Sequence, residues 1–411
     1  MSLRSTLAIS FVFARPILAA GGQIDVLPNP ATATLLSAAT LLTSPAGAEV
    51  AGAGRLVSPA ATAGMARSLA PVAAVGNATG GAGASTAVPG QEKATMALAP
   101  GEWTWMSGSS VVDQYGIYGT LGTPAATNTP GARQYPVSWT DGSGNLWLFG
   151  GSGNSADGGG IQNDLWKYST AIGEWTWMSG SSTSLSYNYG KYGTLGTPAG
   201  TNVPGGRYQS VSWTDGSGNL WLFGGTGFTE SAYGNLNDLW KYSTTTGEWT
   251  WMGGSNIPNQ AGSYGTIGTP AASNMPRARN FSTSWTDGNG NLWLFGGYFT
   301  SSPGNYLQLN DLWKYSITSE EWTWVSGSNA PAQFGSYGAL GTPAASNVPG
   351  ARQGSISWTD GSGNLWLFGG WGNAASTSGF LNDLWQYNVT SGSWTVNVLP
   401  PPGAGLLKEV A

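Results

Sequence analysis

The sequence predicts an all-β fold assembled from four tandem repeats. A fourteen-residue stretch recurs almost unchanged at residues 138–151, 212–225, 284–297 and 357–370, reading SWTDGSGNLWLFGG in three copies and SWTDGNGNLWLFGG in the third. A Trp-Thr-Trp triplet starts at Trp103, Trp175, Trp249 and Trp322, with a degenerate copy at Trp394-Thr395-Val396, in steps of 72, 74, 73 and 72 residues. A fixed period of this size marks a solenoid or a propeller. Composition agrees: the chain holds 65 Gly and 22 Trp, and only 9% of its residues are charged. No helical period competes within the repeats.

The first hundred residues differ from the rest. Arg4 precedes a short apolar run and Leu18-Ala19-Ala20 offers a small-residue cleavage site, so residues 1–20 resemble a secretory signal interrupted by Arg15. Residues 21–100 are mostly Ala, Gly, Ser, Thr and Pro, and beyond residue 45 they lack aromatics. Such a stretch buries too little apolar surface to offset its ordering entropy, and it reads as a linker. The repeat array spans 101–398, and 399–411 form a tail. No run reaches the roughly 18 apolar residues of a membrane span.

Each repeat should supply four strands, in the first at 137–140, 146–149, 165–168 and 175–178. Asp141-Gly142-Ser143-Gly144-Asn145 is turn chemistry joining the first two as a hairpin. It alternates oxygen-bearing side chains like part of a calcium loop but lacks the downstream carboxylate, so it reads as a turn. Asn163-Asp164-Leu165-Trp166-Lys167-Tyr168 begins the third strand and returns in every repeat. Tryptophans within one sheet cannot stabilise it alone, so neighbouring sheets must stack.

Together these residues resemble the kelch motif: Pro-x-x-Arg with Arg133, Arg207, Arg279 and Arg352, then a turn. An aliphatic-aromatic strand follows, ending at Gly150/Gly151, Gly224/Gly225, Gly296/Gly297 and Gly369/Gly370, then Asn-Asp-Leu-Trp-x-Tyr and a later Trp. The resemblance covers about 102–394 and implies a β-propeller of four-stranded antiparallel blades. These repeats are longer than the usual kelch length of about 50 residues. The excess lies before each Arg, in an insert whose core is repeated at 118–124, 192–198, 264–270 and 337–343. In an up-and-down sheet, the inserts and the variable stretches at 152–162, 226–236, 298–309 and 371–381 share one end of the propeller. Tight turns occupy the other end.

There are four copies of strands one to three and five of the Trp strand. The spare could close a four-bladed disc from the opposite terminus. The competing expectation is an open arc that needs a second copy or represents a truncated gene.

Function is less legible. The chain has no His and no Cys, which excludes disulfides, thiolate or imidazole metal sites and a Ser-His-Asp device. Some kelch relatives are copper radical oxidases, which need both residue types, so that activity is excluded too. Residues 101–394 carry nine basic and sixteen acidic residues, against nucleic-acid binding. The repeated Arg and Asn-Asp residues read as structural. The unrepeated Trp371 and the insert tyrosines Tyr118, Tyr192, Tyr264 and Tyr337 are the binding candidates. The expected function is an exported, non-catalytic module without cofactor or metal, binding protein or glycan through the loop-rich end. The alternatives are a carbohydrate-active enzyme drawing two acids from Asp113, Asp157, Glu230 and Glu320, or a surface structural protein.

Overall fold

The computed structural model describes residues 103–184 and 187–397; the signal-like segment, the linker and the tail lie outside them. The described residues contain no helix. Four antiparallel sheets follow one another along the chain, three of four strands and a last one of five, in which Arg352–Gln353 joins the four strands of the repeat. Sheet 1 is Val137–Thr140, Leu146–Phe149, Leu165–Ser169 and Glu174–Ser179, and sheet 2 is Val211–Thr214, Leu220–Phe223, Leu239–Ser243 and Glu248–Gly253. Sheet 3 is Thr283–Thr286, Leu292–Phe295, Leu312–Ser316 and Glu321–Ser326. Sheet 4 is Ile356–Thr359, Leu365–Asn373, Ser378–Asn388 and Ser393–Val396. Every sheet therefore uses a Trp strand from its own repeat. The extra copy is the first one: Trp103 and Trp105 lie in no strand and are exposed.

The hairpin turn builds itself. Asp141 Oδ1 accepts the backbone N–H of Ser143 and Asn145 at 2.9 and 3.0 Å, while its Oδ2 accepts the Trp147 indole N–H at 2.8 Å. Asp215, Asp287 and Asp360 repeat this set. The oxygen atoms that resemble a cation loop are thus occupied by the turn. Thr170 Oγ1 donates to the Gly144 carbonyl at 3.2 Å, which ties the turn between strands three and four to this same end.

At the opposite end, Gly150 and Gly151 take φ of 67° and 96° and swing the chain out of the sheet. A side chain there would collide: a Cβ on Gly151 would sit 2.8 Å from the Gln134 carbonyl oxygen. The other pairs bend alike, with φ of 65° and 93° at Gly224 and Gly225, 62° and 85° at Gly296 and Gly297, and 66° and 96° at Gly369 and Gly370. The expectation that each pair ends its strand holds in repeats 1 to 3, where the strands stop at Phe149, Phe223 and Phe295, immediately before the glycines. It needs correcting in repeat 4, where the strand runs through Gly369 and Gly370 to Asn373 and into the hairpin paired with Ser378–Asn388. Gly225 and Gly297 also link repeats: their N–H groups donate to the carbonyls of Arg279 and Arg352 in the next repeat, each at 2.9 Å.

The segment beyond each bend is a second hairpin, not an irregular loop. Ser152–Asn154 pairs with Gly159–Ile161, and Arg133–Gln134 adds to its edge. Thr226–Phe228 with Tyr233–Asn235, and Tyr298–Ser302 with Asn305–Gln308, do likewise. In sheet 4 the hairpin is continuous with the sheet's own second and third strands.

Each insert meets its own repeat's hairpin and then runs along the outer edge of the fourth strand. Gly116 N–H donates to Ser155, Gly122 N–H donates to the Trp177 carbonyl at 2.8 Å, and Ala125 pairs with Trp175. The amide of Asn128 reaches the Trp175 carbonyl at 3.0 Å. An edge strand that would otherwise expose a row of unpaired peptide groups is covered. That accounts physically for the extra repeat length.

Neighbouring sheets stack face to face through aromatic cores. Val137, Trp139, Trp147 and Phe149 of sheet 1 pack on Leu220, Leu222, Trp240 and Trp249 of sheet 2. The same seam recurs between sheets 2 and 3 and between sheets 3 and 4. An indole N–H crosses each seam to a backbone carbonyl: Trp139 to Trp221 at 3.1 Å, Trp213 to Trp293 at 3.1 Å, Trp285 to Trp366 at 2.9 Å. The pattern stops at the two ends. Trp358, the fourth equivalent, is 50% exposed, and Ile356 is 54% exposed, while Leu146 of sheet 1 is 45% exposed where Leu220, Leu292 and Leu365 are fully buried. The expected four-sheet disc is therefore not closed in this structure.

Candidate binding site

A cavity of about 710 Å³ opens between the hairpins of repeats 2 and 3, at the end where inserts and hairpins gather. Its walls are built from positions that break the repeat. The residue after each Gly-Gly pair is Ser152, Thr226, Tyr298 or Trp371, and the residue after each motif Arg is Gln134, Tyr208, Asn280 or Gln353. Thr226, Tyr298, Tyr208 and Asn280 all line the cavity, joined by Tyr233 and Tyr306 from the hairpin strands.

The polar groups hold one another in place. Thr226 Oγ1 accepts from the Asn235 amide at 3.0 Å and from the Asn280 amide at 2.5 Å. Asn235 Oδ1 accepts the Thr300 N–H at 2.8 Å, so hairpins from consecutive repeats are linked. The Tyr208 and Tyr233 hydroxyls lie 3.0 Å apart. Tyr298 stacks on Phe281 at 6.0 Å and meets Tyr306 edge-on at 5.6 Å. Arg277 from the third insert lies over the Phe299 ring at 4.1 Å. Burial pushes Tyr298 up to about 12, against a hydrogen bond from Asn280, and pushes Tyr208 and Tyr233 upward as well. All three therefore stay neutral phenols at physiological pH, and Tyr233 presents an exposed ring.

No carboxylate lines this cavity. Its lining presents aromatic faces, hydroxyls, amides and one guanidinium. Asp157 accepts from Ser155 and Ser184 in the first repeat, Glu230 accepts from Asn256, and Glu320 sits in the turn at the opposite end. The described residues hold no group of three or more potential metal ligands.

The insert tyrosines lie elsewhere. The Tyr118 hydroxyl donates to Asp164 at 2.6 Å, Tyr192 to Asp238 at 2.5 Å, and Tyr264 and Tyr337 to Asp311 and Asp383 at 2.7 Å each. Their rings pack on Trp166, Trp240, Trp313 and Trp385. Each aspartate also receives both prongs of the motif Arg and an indole N–H, as Asp238 does from Arg207 and Trp240. Trp371 lies in the sheet 4 hairpin opposite Phe380, which is 82% exposed. That is the register position of Tyr298, one repeat beyond the cavity. The sequence does carry a signal for the cavity tyrosines, visible when the repeats are laid side by side: Tyr208, Tyr298 and Trp371 each put a bulky aromatic where other copies carry a small or polar residue. Reading Trp371 alone passes over the other two.

No protein-family model matches the chain.

Proposed function

We propose that this chain is a kelch-type β-propeller protein, exported and non-catalytic, that binds a glycan in the tyrosine-lined cavity between repeats 2 and 3. The observation that carries the reading is the departure from repetition. Four near-identical units need identical residues to stack, and the sequence varies where the cavity forms. A sugar ring presents a C–H face and a rim of hydroxyls. Phenol faces such as Tyr233 and Tyr306 suit the first, and the amides of Asn235, Asn259 and Gln260 suit the second. A rigid scaffold carrying variable hairpins is where binding usually resides.

Glycan-array screening of the full chain, followed by calorimetry on the best ligand, tests it. Tyr233→Ala and Tyr306→Ala should each weaken binding by about tenfold, the worth of one aromatic contact. A ligand that binds both variants as tightly as the parent chain would place recognition outside this cavity.

A further inference from the structure

The two ends of the sheet array are halves of one seam. The face of sheet 4 presented by Ile356, Trp358, Trp366 and Phe368 corresponds residue by residue to Val137, Trp139, Trp147 and Phe149 of sheet 1, which are buried against sheet 2. The face of sheet 1 presented by Leu146, Leu148 and Trp175 corresponds to Leu220, Leu222 and Trp249, which bury the partner side of that seam. In three internal seams these groups are buried. At the ends, Ile356, Trp358 and Leu146 are exposed, and Leu148, Trp175, Trp366 and Phe368 are left half-buried.

The backbone shows the same open valences. Gly151 N–H donates to the Arg207 carbonyl at 2.8 Å and Arg207 N–H donates to Gln162 at 3.1 Å, and the bonds recur from repeat 2 to repeat 3 and from repeat 3 to repeat 4. Gly370 and Leu381 in repeat 4 have no following Arg strand among the described residues, and Arg133 in repeat 1 has no preceding Gly-Gly bend.

We propose that these faces meet between copies of the chain: sheet 4 of one copy seats on sheet 1 of a second, and sheet 4 of the second seats on sheet 1 of the first. The partner is named by the chain itself, since the contact already occurs three times within it. The described residues contribute four sheets per copy, so two copies give eight. Eight is within the four to eight blades typical of closed propellers. The contact is head-to-tail, and the ring closes with two-fold symmetry.

Light scattering of the full chain at micromolar concentration should give twice the 42.3 kDa monomer mass. Trp358→Asp and Leu146→Asp should each give monomers. Each dimer has two seams, so either change should weaken association by about a thousandfold, roughly thirtyfold per seam. The decisive step is mixing the two variants. A head-to-tail pair of variants carries both substitutions in one seam and leaves the other intact; a seam already opened by one Asp loses little more to a second, so the mixture should recover a dimer that neither variant forms alone. Near-ultraviolet circular dichroism checks that the internal seams survive in each variant. A monomeric parent chain, a ladder of higher masses, or a mixture that stays monomeric despite native dichroism would overturn the proposal.

Discussion

Arg207 and Asp238 meet as a two-pronged ion pair, with Nη1 to Oδ1 at 2.6 Å and Nη2 to Oδ2 at 2.7 Å, across 31 residues of sequence. Both side chains are almost fully buried. The pair joins the strand that enters the repeat to the start of its third strand, and Tyr192 from the insert completes the cluster. Its four copies fix where every insert and hairpin begins. A buried pair of this kind is strongly destabilised when one partner is removed, because the other charge is stranded. Arg207→Ala should therefore cost about 3–5 kcal/mol in urea unfolding. Tyr192→Phe deletes a single hydrogen bond to a charged acceptor and should cost about 1.5–3 kcal/mol. Equal and small losses in both variants would count against the cluster as the anchor of the repeat.

Stability should be flat across neutral pH and fall at both extremes. The chain has no histidine to titrate near pH 6–7. For Asp311, burial opposes the charged form, but the facing Arg279 charge and its hydrogen bonds outweigh it and hold the carboxyl below its usual value. Asp383 behaves alike with Arg352. A depressed folded value means stability that is present above about pH 4 and lost as pH falls below it. On the alkaline side, burial pushes Tyr242, Tyr337 and Tyr387 up to about 12. A raised folded value means stability that is present below about pH 10 and lost as pH rises toward 12. Urea midpoints measured from pH 2 to 12 should show a plateau between about 5 and 9 with both falls. Tyrosinate absorbance should appear together with alkaline unfolding; ionisation of most tyrosines in the folded state would contradict these burials.

The cavity variants should separate binding from folding. Tyr233 is exposed and its hydroxyl meets only Tyr208 among the described side chains. Its removal should change the unfolding free energy by less than about 1 kcal/mol, the range of surface substitutions and single neutral hydrogen bonds. Tyr298, by contrast, is buried and packs on Phe281 and Tyr306, so Tyr298→Ala should cost about 3–5 kcal/mol as a large core truncation. If Tyr233→Ala unfolded the chain as readily as Tyr298→Ala, the cavity wall would be core and not a surface for ligand.

Much of the fold was legible because repetition multiplies a weak signal. The expected strand at 137–140 and the strand at 146–149 match the observed elements residue for residue, and the third and fourth are longer by one or two residues at their ends. Turn chemistry around Asp141 and β-favouring runs on either side leave one solution. Three features were not legible. The first hairpin after a Gly-Gly pair, Ser152-Gly153-Asn154 with Gly159-Gly160-Ile161, has few β-favouring residues, and its pairing, with Arg133–Gln134 added at the edge, shows only in the structure. The insert tyrosines read as exposed stacking surfaces because local sequence cannot show that Asp164, 46 residues on, accepts their hydroxyl. The open ends depend on sheet-to-sheet distance, which composition does not encode: Trp139 and Trp358 stand in nearly identical sequence and have opposite exposure.

That contrast supplies a paired test. Trp213 is buried in a seam and its indole N–H reaches the Trp293 carbonyl of the next sheet. Trp213→Ala removes a large side chain and the cross-seam bond, and should cost about 3–5 kcal/mol. Trp358 occupies the same register in sheet 4 but is half-exposed. In dilute solution, where copies are apart, Trp358→Ala should cost no more than about 1–2 kcal/mol, roughly the share of apolar area still buried. Raising the chain concentration should leave the Trp213 deficit unchanged. It should widen the gap between the Trp358 variant and the parent chain, because only the parent gains the intermolecular seam. Chemical unfolding at two concentrations a hundredfold apart reads both effects, and a concentration-independent Trp358 deficit would mean that its exposed face is not a contact.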